Sequence, residues 1–206
     1  MPKVNPNRME LLRLRDRLKT AGRGHKLLKD KLDALLGRFM ALLGEARELR
    51  KQVEVEIAKA FGFLALARGE AGPLMLTEAL SGSGREIDVE VGTVNLMSVV
   101  VPQFSLSFAP APATYSLAVT PPVLDEAVKG FSGALEPLIR LAELEKTIQL
   151  LALEIKRTRR RVNALEHILI PGLNADIKVI NMNLAELERA NLIRVMKIKE
   201  MLEIKG

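Results

Sequence analysis

Residues 11–53 read LLRLRDRLKTAGRGHKLLKDKLDALLGRFMALLGEARELRKQV. Within them Leu11, Leu14, Leu18, Ala21, His25, Leu28, Leu32, Leu35, Phe39, Leu42, Ala46, Leu49 and Val53 follow one another at alternating steps of three and four. This is heptad spacing, which keeps one apolar stripe turned toward a partner helix. No proline interrupts the run after Pro6. The spacing therefore predicts one helix from about Pro6 to Phe61, roughly 80 Å long at ~1.5 Å per residue. A helix of that length belongs to a rod rather than to a compact globule.

The second half carries a matching seam. Leu141, Leu144, Ile148, Leu151, Ile155, Thr158, Val162, Leu165 and Leu169 keep the alternation, and Leu173, Ile177, Ile180, Leu184 and Leu187 resume it. Between Leu165 and Ile177 every step is four, a stutter that locally unwinds a supercoil. It coincides with Pro171-Gly172, where proline removes a backbone hydrogen bond and bends the helix. The reading is a second long helix, kinked near Pro171 and running to about Glu203. If residues near 5 lie beside those near 200, Thr158–Leu169 falls beside Phe39–Leu49 or a turn below.

Between the arms the pattern changes. Leu74–Leu80 fits a short helix, and Ser81-Gly82-Ser83-Gly84 a turn. Ile87-Asp88-Val89-Glu90-Val91 alternates with period two, and Met97–Val101 is β-branched and ends at Pro102. With Gly92 in the connection, residues 87–101 read as a β-hairpin whose packed face is Ile87, Val89, Met97, Val99 and Val101. Ala109–Thr114 and Pro121-Pro122 form a loop leading to the second arm, which starts near Asp125. The fold class is mainly α: a long antiparallel two-helix coiled coil with a small head. Its parts are an N-terminal arm (1–61), a head (62–122) and a C-terminal arm (123–206). Pairing within one chain is preferred to a parallel homodimer, because each seam already has a partner of similar length.

Composition narrows the function classes. Apolar residues make up 48% but aromatics only 3%, the balance of long helices rather than of a sandwich or barrel. There is no cysteine, which removes disulfides, thiolate metal sites and thiol nucleophiles together. No apolar run approaches the ~18 residues of a membrane span, and the N-terminus lacks a signal-peptide core, so direct membrane insertion is not expected. Residues 1–60 hold 15 basic and 8 acidic side chains, 61–130 hold 3 and 7, and 131–206 hold 13 and 10. Basic arms thus flank an acidic head, which suits different partner surfaces.

No phosphate-cradling GxxxxGK[ST] loop occurs, and Gly22-Arg23-Gly24-His25-Lys26 lies inside the heptad helix with no preceding strand. His25 takes a seam position, where a polar group sets register. His167 falls off the seam. Neither has a second ligand at metal spacing, and the carboxylates alternate with cations along helix faces. No catalytic residue, cofactor or metal site is read from the chain.

The densest charge is Lys156, Arg157, Arg159, Arg160 and Arg161. With Ile155, Thr158 and Val162 facing the seam, these five wrap the outside of the helix as a collar. A solvated face that keeps the helix soluble is the plain reading. Nucleic acid would call for stacking aromatics or a groove-reading motif beside the collar, and none is there. A protein partner with acidic loops suits it electrostatically. Arg38, Arg47, Arg50 and Lys51 are its expected neighbours.

NPNRMELLRLRDRL (Asn5–Leu18), GHKLLKDKLDAL (Gly24–Leu35) and TRRRVNALE running into IPGL (Thr158–Leu173) resemble the D subunit of the V/A-type rotary ATPases. VNLMSVVVP (Val94–Pro102) and LAELEKT (Leu141–Thr147) add to the similarity, which spans nearly the whole chain in order. The resemblance implies a non-catalytic rotor axle of antiparallel coiled coil. Its terminal end enters a hexamer of A and B subunits, where ATP is turned over. Its lower part and head meet the small F subunit and the funnel-like subunit on the membrane rotor ring. Rotation then couples ATP chemistry to H⁺ or Na⁺ transport, at the cytoplasmic face of the membrane. On this reading the collar contacts the hexamer. So does a tip where Asn7, Arg8 and Met9 lie near Lys197, Lys199 and Met201. The head contacts come from Ile87, Val89, Met97, Val99 and Val101. The rival classes are a free-standing coiled-coil scaffold or tether and, behind it, a nucleic-acid-binding coiled coil.

Overall fold

A computed structural model of the chain describes residues 7–81, 87–108 and 120–203. The elements in order are α1 (Arg8–Ala71), α2 (Pro73–Ser81), β1 (Ile87–Leu96), β2 (Val99–Phe108), α3 (Pro122–Ala164), a π-helical turn (Leu165–Leu169) and α4 (Ile170–Glu203). The fold is mainly α, with antiparallel helix pairing and one β-hairpin. Contacts divide it into two compact units, Met1–Ala34 with Lys156–Gly206, and Leu35–Ile155.

In the first of these, Leu14 and Ala21 of α1 pack against Leu173 and Ile180 of α4. Leu11, Leu18, Ile170, Ile177 and Leu184 close over them. Both sets keep the three-four spacing, so each helix offers one stripe and the two stripes are buried together. Arg8 Nη2 donates to Glu188 Oε1 at 2.6 Å, and His25 Nε2 lies 3.3 Å from Glu166 Oε2, which fixes the antiparallel sense. The register differs from the expected one. Glu166 meets His25 instead of a residue near Phe39, and Arg8 meets Glu188 instead of Lys197. The expectation was anchored on the chain ends, but α4 runs on past the start of α1.

The stutter takes a specific form. The Ile170 N–H donates to the Leu165 carbonyl, five residues back, closing a π-helical turn. Steps of four overshoot a 3.6-residue turn, and a turn holding more residues lets them stay on one face. The turn ends at Leu169, two residues ahead of Pro171, whose ring would crowd a carbonyl four residues back and which has no N–H to give. Leu173 and Ile180 thereby return to the buried face, while Leu169 is left exposed.

In the second unit, α1 runs on to Ala71, beyond the expected end near Phe61. Ile57, Ala60, Leu64, Ala67 and Ala71 continue the seam, and all are buried or half-buried. Small residues make this stretch close-packed. Ala60, Ala67, Ala127 and Ala134 are buried, and a Cβ added to Gly130 of α3 would lie 2.9 Å from the Ala60 Cβ. Phe61 and Phe131 meet edge to face beside this contact, with ring centroids 5.0 Å apart. Gly72 ends α1 in the left-handed conformation (φ 79°), and its N–H donates to the Arg68 carbonyl at 3.1 Å. Pro73 then opens α2, which matches the helix expected at Leu74–Leu80, and Leu76 packs with Ala67 and Leu124. Pro122 opens α3 in the same way, a little before the expected start at Asp125.

The hairpin is longer than 87–101 and its turn is elsewhere. Gly92 is inside β1 opposite Gln103, and the chain reverses at Met97-Ser98. Both turn residues have positive φ (54° and 71°), as a two-residue type I′ turn requires, and Asn95 Oδ1 accepts from the Ser98 N–H at 2.9 Å. Val99, Val101 and Leu96 pack on Leu35, Leu42 and Leu151. The loop expected at Ala109–Thr114 and the glycines at 82 and 84 lie outside the described residues.

Gly130→Leu is expected to lower unfolding stability by about 1–3 kcal/mol, the usual cost of overpacking. Adding Ala60→Gly should restore part of the loss in the same urea titration, because the two positions share one contact. Equal loss with and without Ala60→Gly would mean that this contact is not the tight one.

Candidate functional site

Four surfaces stand out after the helices have paired: the collar, the tip of α4, a groove below it and the head. Among the described residues no group of three or more His, Asp or Glu side chains is placed to hold a metal ion. Among them, too, no helix is long and apolar enough to cross a membrane.

The collar is positioned by the seam of α3. Thr158 is 1% exposed and Val162 is buried, which turns Lys156, Arg157, Arg159, Arg160 and Arg161 outward, and all five are exposed. None of the five is ion-paired among the described residues. Arg50, one of the neighbours expected for the collar, instead pairs with Glu145 in the other unit. Lys51 pairs with Glu48 one turn back along α1. Five uncompensated cations around one and a half turns make a surface that attracts carboxylates without being committed to one of them.

The tip is the end of α4. From Ala185 to Glu203 every residue is exposed. Leu192, Ile193, Val195, Met196, Ile198, Met201 and Leu202 are each more than half exposed. At ~100° per residue these seven side chains fall in every quadrant around the helix. Arg189, Arg194, Lys197, Lys199, Glu200 and Glu203 share the same turns, so the tip presents apolar and charged side chains together. Arg8 and Met9 do not share this tip with Lys197 and Met201 as expected. Arg8 is held at Glu188, several turns short of them, and Lys197 and Met201 stand on α4 alone.

Below the tip lies an open groove of about 920 Å³, lined by Met9, Leu12, Ala21, Gly24, Leu165, Leu169 and Leu173, with Arg13, Asp16 and Arg17 among its walls. It opens beside the π-helical turn, at Leu165 and Leu169. The heptad reading passed over it. Its signal was the apolar pair Met9 and Leu12 just off the seam, beside an opposing stutter.

The head candidates fall on two faces. Val99 and Val101 are 9% and 7% exposed and belong to the helix-packed core. Ile87 and Val89 are 41% and 40% exposed and lie on the opposite face of the sheet, while Met97 is exposed in the turn. The expected single face fails by parity. A two-residue turn pairs odd positions of β1 with even positions of β2, such as Val89 with Leu106 and Val91 with Phe104. Odd residues of the two strands therefore point to opposite sides.

These surfaces belong to a known kind of chain. The family model for the D subunit of ATP synthase matches residues 10–200. The chain belongs to the ATP synthase D-subunit family. It is 44% identical over 204 residues to the D subunit of the A-type ATP synthase of Methanopyrus kandleri, covering 98% of this chain and 88% of that one. It is 46% identical over 201 residues to the D subunit of the V-type ATP synthase of Clostridioides difficile, covering 96% and 90%. The corresponding V-type chain of Streptococcus pneumoniae (strain Hungary19A-6) is 44% identical over 198 residues, covering 95% and 98%.

Replacing Leu192, Ile193 and Met196 singly by Gln is expected to change the stability of the isolated chain by no more than about 0.5 kcal/mol each, as at other exposed sites. Ile180→Ala, on the same helix but fully buried, should cost about 2–5 kcal/mol. Urea unfolding measures both, and a large cost at the tip positions would show that the tip is already covered.

Proposed function

We propose that this chain is the non-catalytic central shaft of a V/A-type rotary ATPase. It turns within the A/B hexamer and couples ATP hydrolysis or synthesis there to H⁺ or Na⁺ movement through the membrane ring. It acts at the cytoplasmic face as a peripheral component of the complex. The small F subunit and the funnel-like subunit on the rotor ring are its partners at the head. Membership of the D-subunit family supports this reading. The observation that carries it is the α4 tip beyond Glu188, where seven large apolar side chains between Leu192 and Leu202 are each more than half exposed, on every side of the helix and among charged residues, with no described helix packed on them.

A sleeve of protein around the tip answers that surface, and the hexamer's central hole is such a sleeve. Apolar contact is non-directional, so a tip held this way keeps similar contacts at each of three equivalent angles. The collar works differently. Long exposed cations exchange partners as the shaft turns, whereas buried ion pairs would hold one angle, since breaking such a pair costs several kcal/mol. Lys156, Arg157, Arg159, Arg160 and Arg161 are accordingly read as contacts to acidic loops of the hexamer. Lys197 and Met201 are read as contacts at the tip, and Arg8 and Met9 as contacts lower down, beside Glu188. Ile87, Val89 and Met97 are the exposed head contacts, and Val99 and Val101 support them from inside.

Charge reversal of Arg159, Arg160 and Arg161 together is expected to weaken assembly or coupling of the complex while leaving the melting temperature of the isolated chain nearly unchanged. ATP-driven rotation in single-molecule assays and co-purification with the hexamer measure the two effects. Unchanged rotation and unchanged assembly would remove the collar from the mechanism. A chain that never co-purifies with an A/B hexamer would favour the free-standing scaffold instead.

A further inference from the structure

The two edges of the hairpin are treated differently. Along β2 the outer edge is covered at its middle by α3. The Phe104 N–H points away from β1 and donates to Glu143 Oε2 of α3 at 3.0 Å. Pro102, two residues earlier and facing the same way, has no N–H to satisfy. Along β1 nothing comparable occurs among the described residues. Phe104 pairs with Val91, so an outward N–H at Phe104 makes this a non-hydrogen-bonded pair. The backbone groups of Val91 then also point outward, and by alternation so do those of Ile87, Val89, Thr93 and Asn95. None of them has a partner among the described residues. β1 contains neither proline nor lysine, and its ten residues form a long open edge.

Side chains along that edge specify what would pair with it. Ile87, Val89 and Val91 are exposed on one face, and Phe104 and Leu106 extend that apolar face onto β2. On the other face stand Asp88 and Glu90, neither of them ion-paired among the described residues. A second copy of this chain is a poor occupant. Registers that align the Ile87, Val89 and Val91 triplets of two copies set acid against acid, which is destabilising across a strand pair.

We propose that β1 is a strand-addition site. It takes an extended segment of a partner protein in which apolar residues alternate with lysine or arginine. The partner's backbone bonds to the outward groups of Val89, Val91 and Thr93, its apolar residues extend the Val89/Val91 face, and its cations meet Asp88 and Glu90. The main chain supplies affinity here and the two carboxylates supply selection. The proposal rests on the reading of this chain as the central shaft of the rotary complex only for where the partner is found.

Hydrogen–deuterium exchange at residue resolution tests it, comparing the isolated full-length chain with the assembled, purified ATPase. In the isolated chain the amides of Val89, Val91 and Thr93 should exchange fast, while those of Asp88, Glu90 and Gly92, bonded to β2, exchange slowly. In the complex the outward set should slow by about tenfold or more, the factor that ~1.4 kcal/mol of added protection gives. Asp88→Lys with Glu90→Lys should abolish that protection, and Asp88→Asn with Glu90→Gln should reduce it. The inward amides report in each variant that the hairpin is intact. Equal exchange of the outward amides in both states would overturn the proposal, as would protection that survives the double lysine variant. Concentration-dependent protection in the isolated chain would assign the edge to a second copy and overturn it too. Exchange along residues 189–203 separates this result from the shaft reading. A protected tip with an unprotected β1 sinks strand addition alone, and the reverse sinks the shaft alone.

Discussion

Two helices bury a seam only along the length they share, and most of what is distinctive here follows from that geometric limit. α1 is first described as a helix at Arg8, which is tied to Glu188. The apolar pattern of α4 does not stop there: Asn191 and Arg194 take the next seam positions, Ile198 and Met201 the two after them, and Leu192, Ile193, Val195, Met196 and Leu202 add apolar residues off the seam. Within the shared length one stripe of each helix is buried. Beyond it α4 carries Arg189, Arg194, Lys197, Lys199, Glu200 and Glu203 among its apolar residues, so apolar and charged side chains are exposed together around the helix.

The paired regions reach close packing by two routes. In one unit Leu14, Leu173 and Ile180 fill the space between helices with branched side chains. In the other, Ala60, Ala67, Ala127, Gly130 and Ala134 leave almost nothing to fill, and the backbones approach until a single added Cβ would collide with the Ala60 methyl. The large apolar side chains of that stretch are consequently displaced to the flanks, where Phe61 meets Phe131 edge to face and Leu66 is exposed. Interhelical spacing is thus set by side-chain size at the contact.

How far this was legible from sequence depends on whether the signal was periodic. Three-four spacing located both helices, their antiparallel pairing and the outward turn of the collar, since burial of Thr158 and Val162 leaves the intervening cations no other direction. The end of α1 was missed because Ala60, Ala67 and Ala71 are too small to register as a stripe, although they sit on it. Register was missed because periodicity fixes which face is buried but not which turn meets which. Placing the chain ends together ignored the fact that the tip of α4 has no described helix to pair with. The π-helical turn was visible only as a stutter, since an extra spacing on one helix does not say whether the backbone bends or widens.

The hairpin illustrates a different limit, because its error concerned a count of one. Reading Gly92 as the turn put the wrong residues opposite one another, and alternation then sent Ile87 and Val89 to the face of Val99 and Val101. The actual turn, Met97-Ser98, takes the left-handed conformation twice without a glycine, so no turn motif advertised it. Its position makes the sheet two-natured. Near the turn the face carrying Leu96, Val99 and Val101 is apolar and anchored on the helices, while farther out the same face carries Asp88, Glu90, Ser105 and Ser107. The opposite face reverses this, with Ile87, Val89, Val91, Phe104 and Leu106 at the far end. A hairpin serving only its own helices would not need a second apolar face. Because strand parity puts that face on the residues whose backbone groups point off the open edge of β1, one added strand would satisfy both the edge and part of the face.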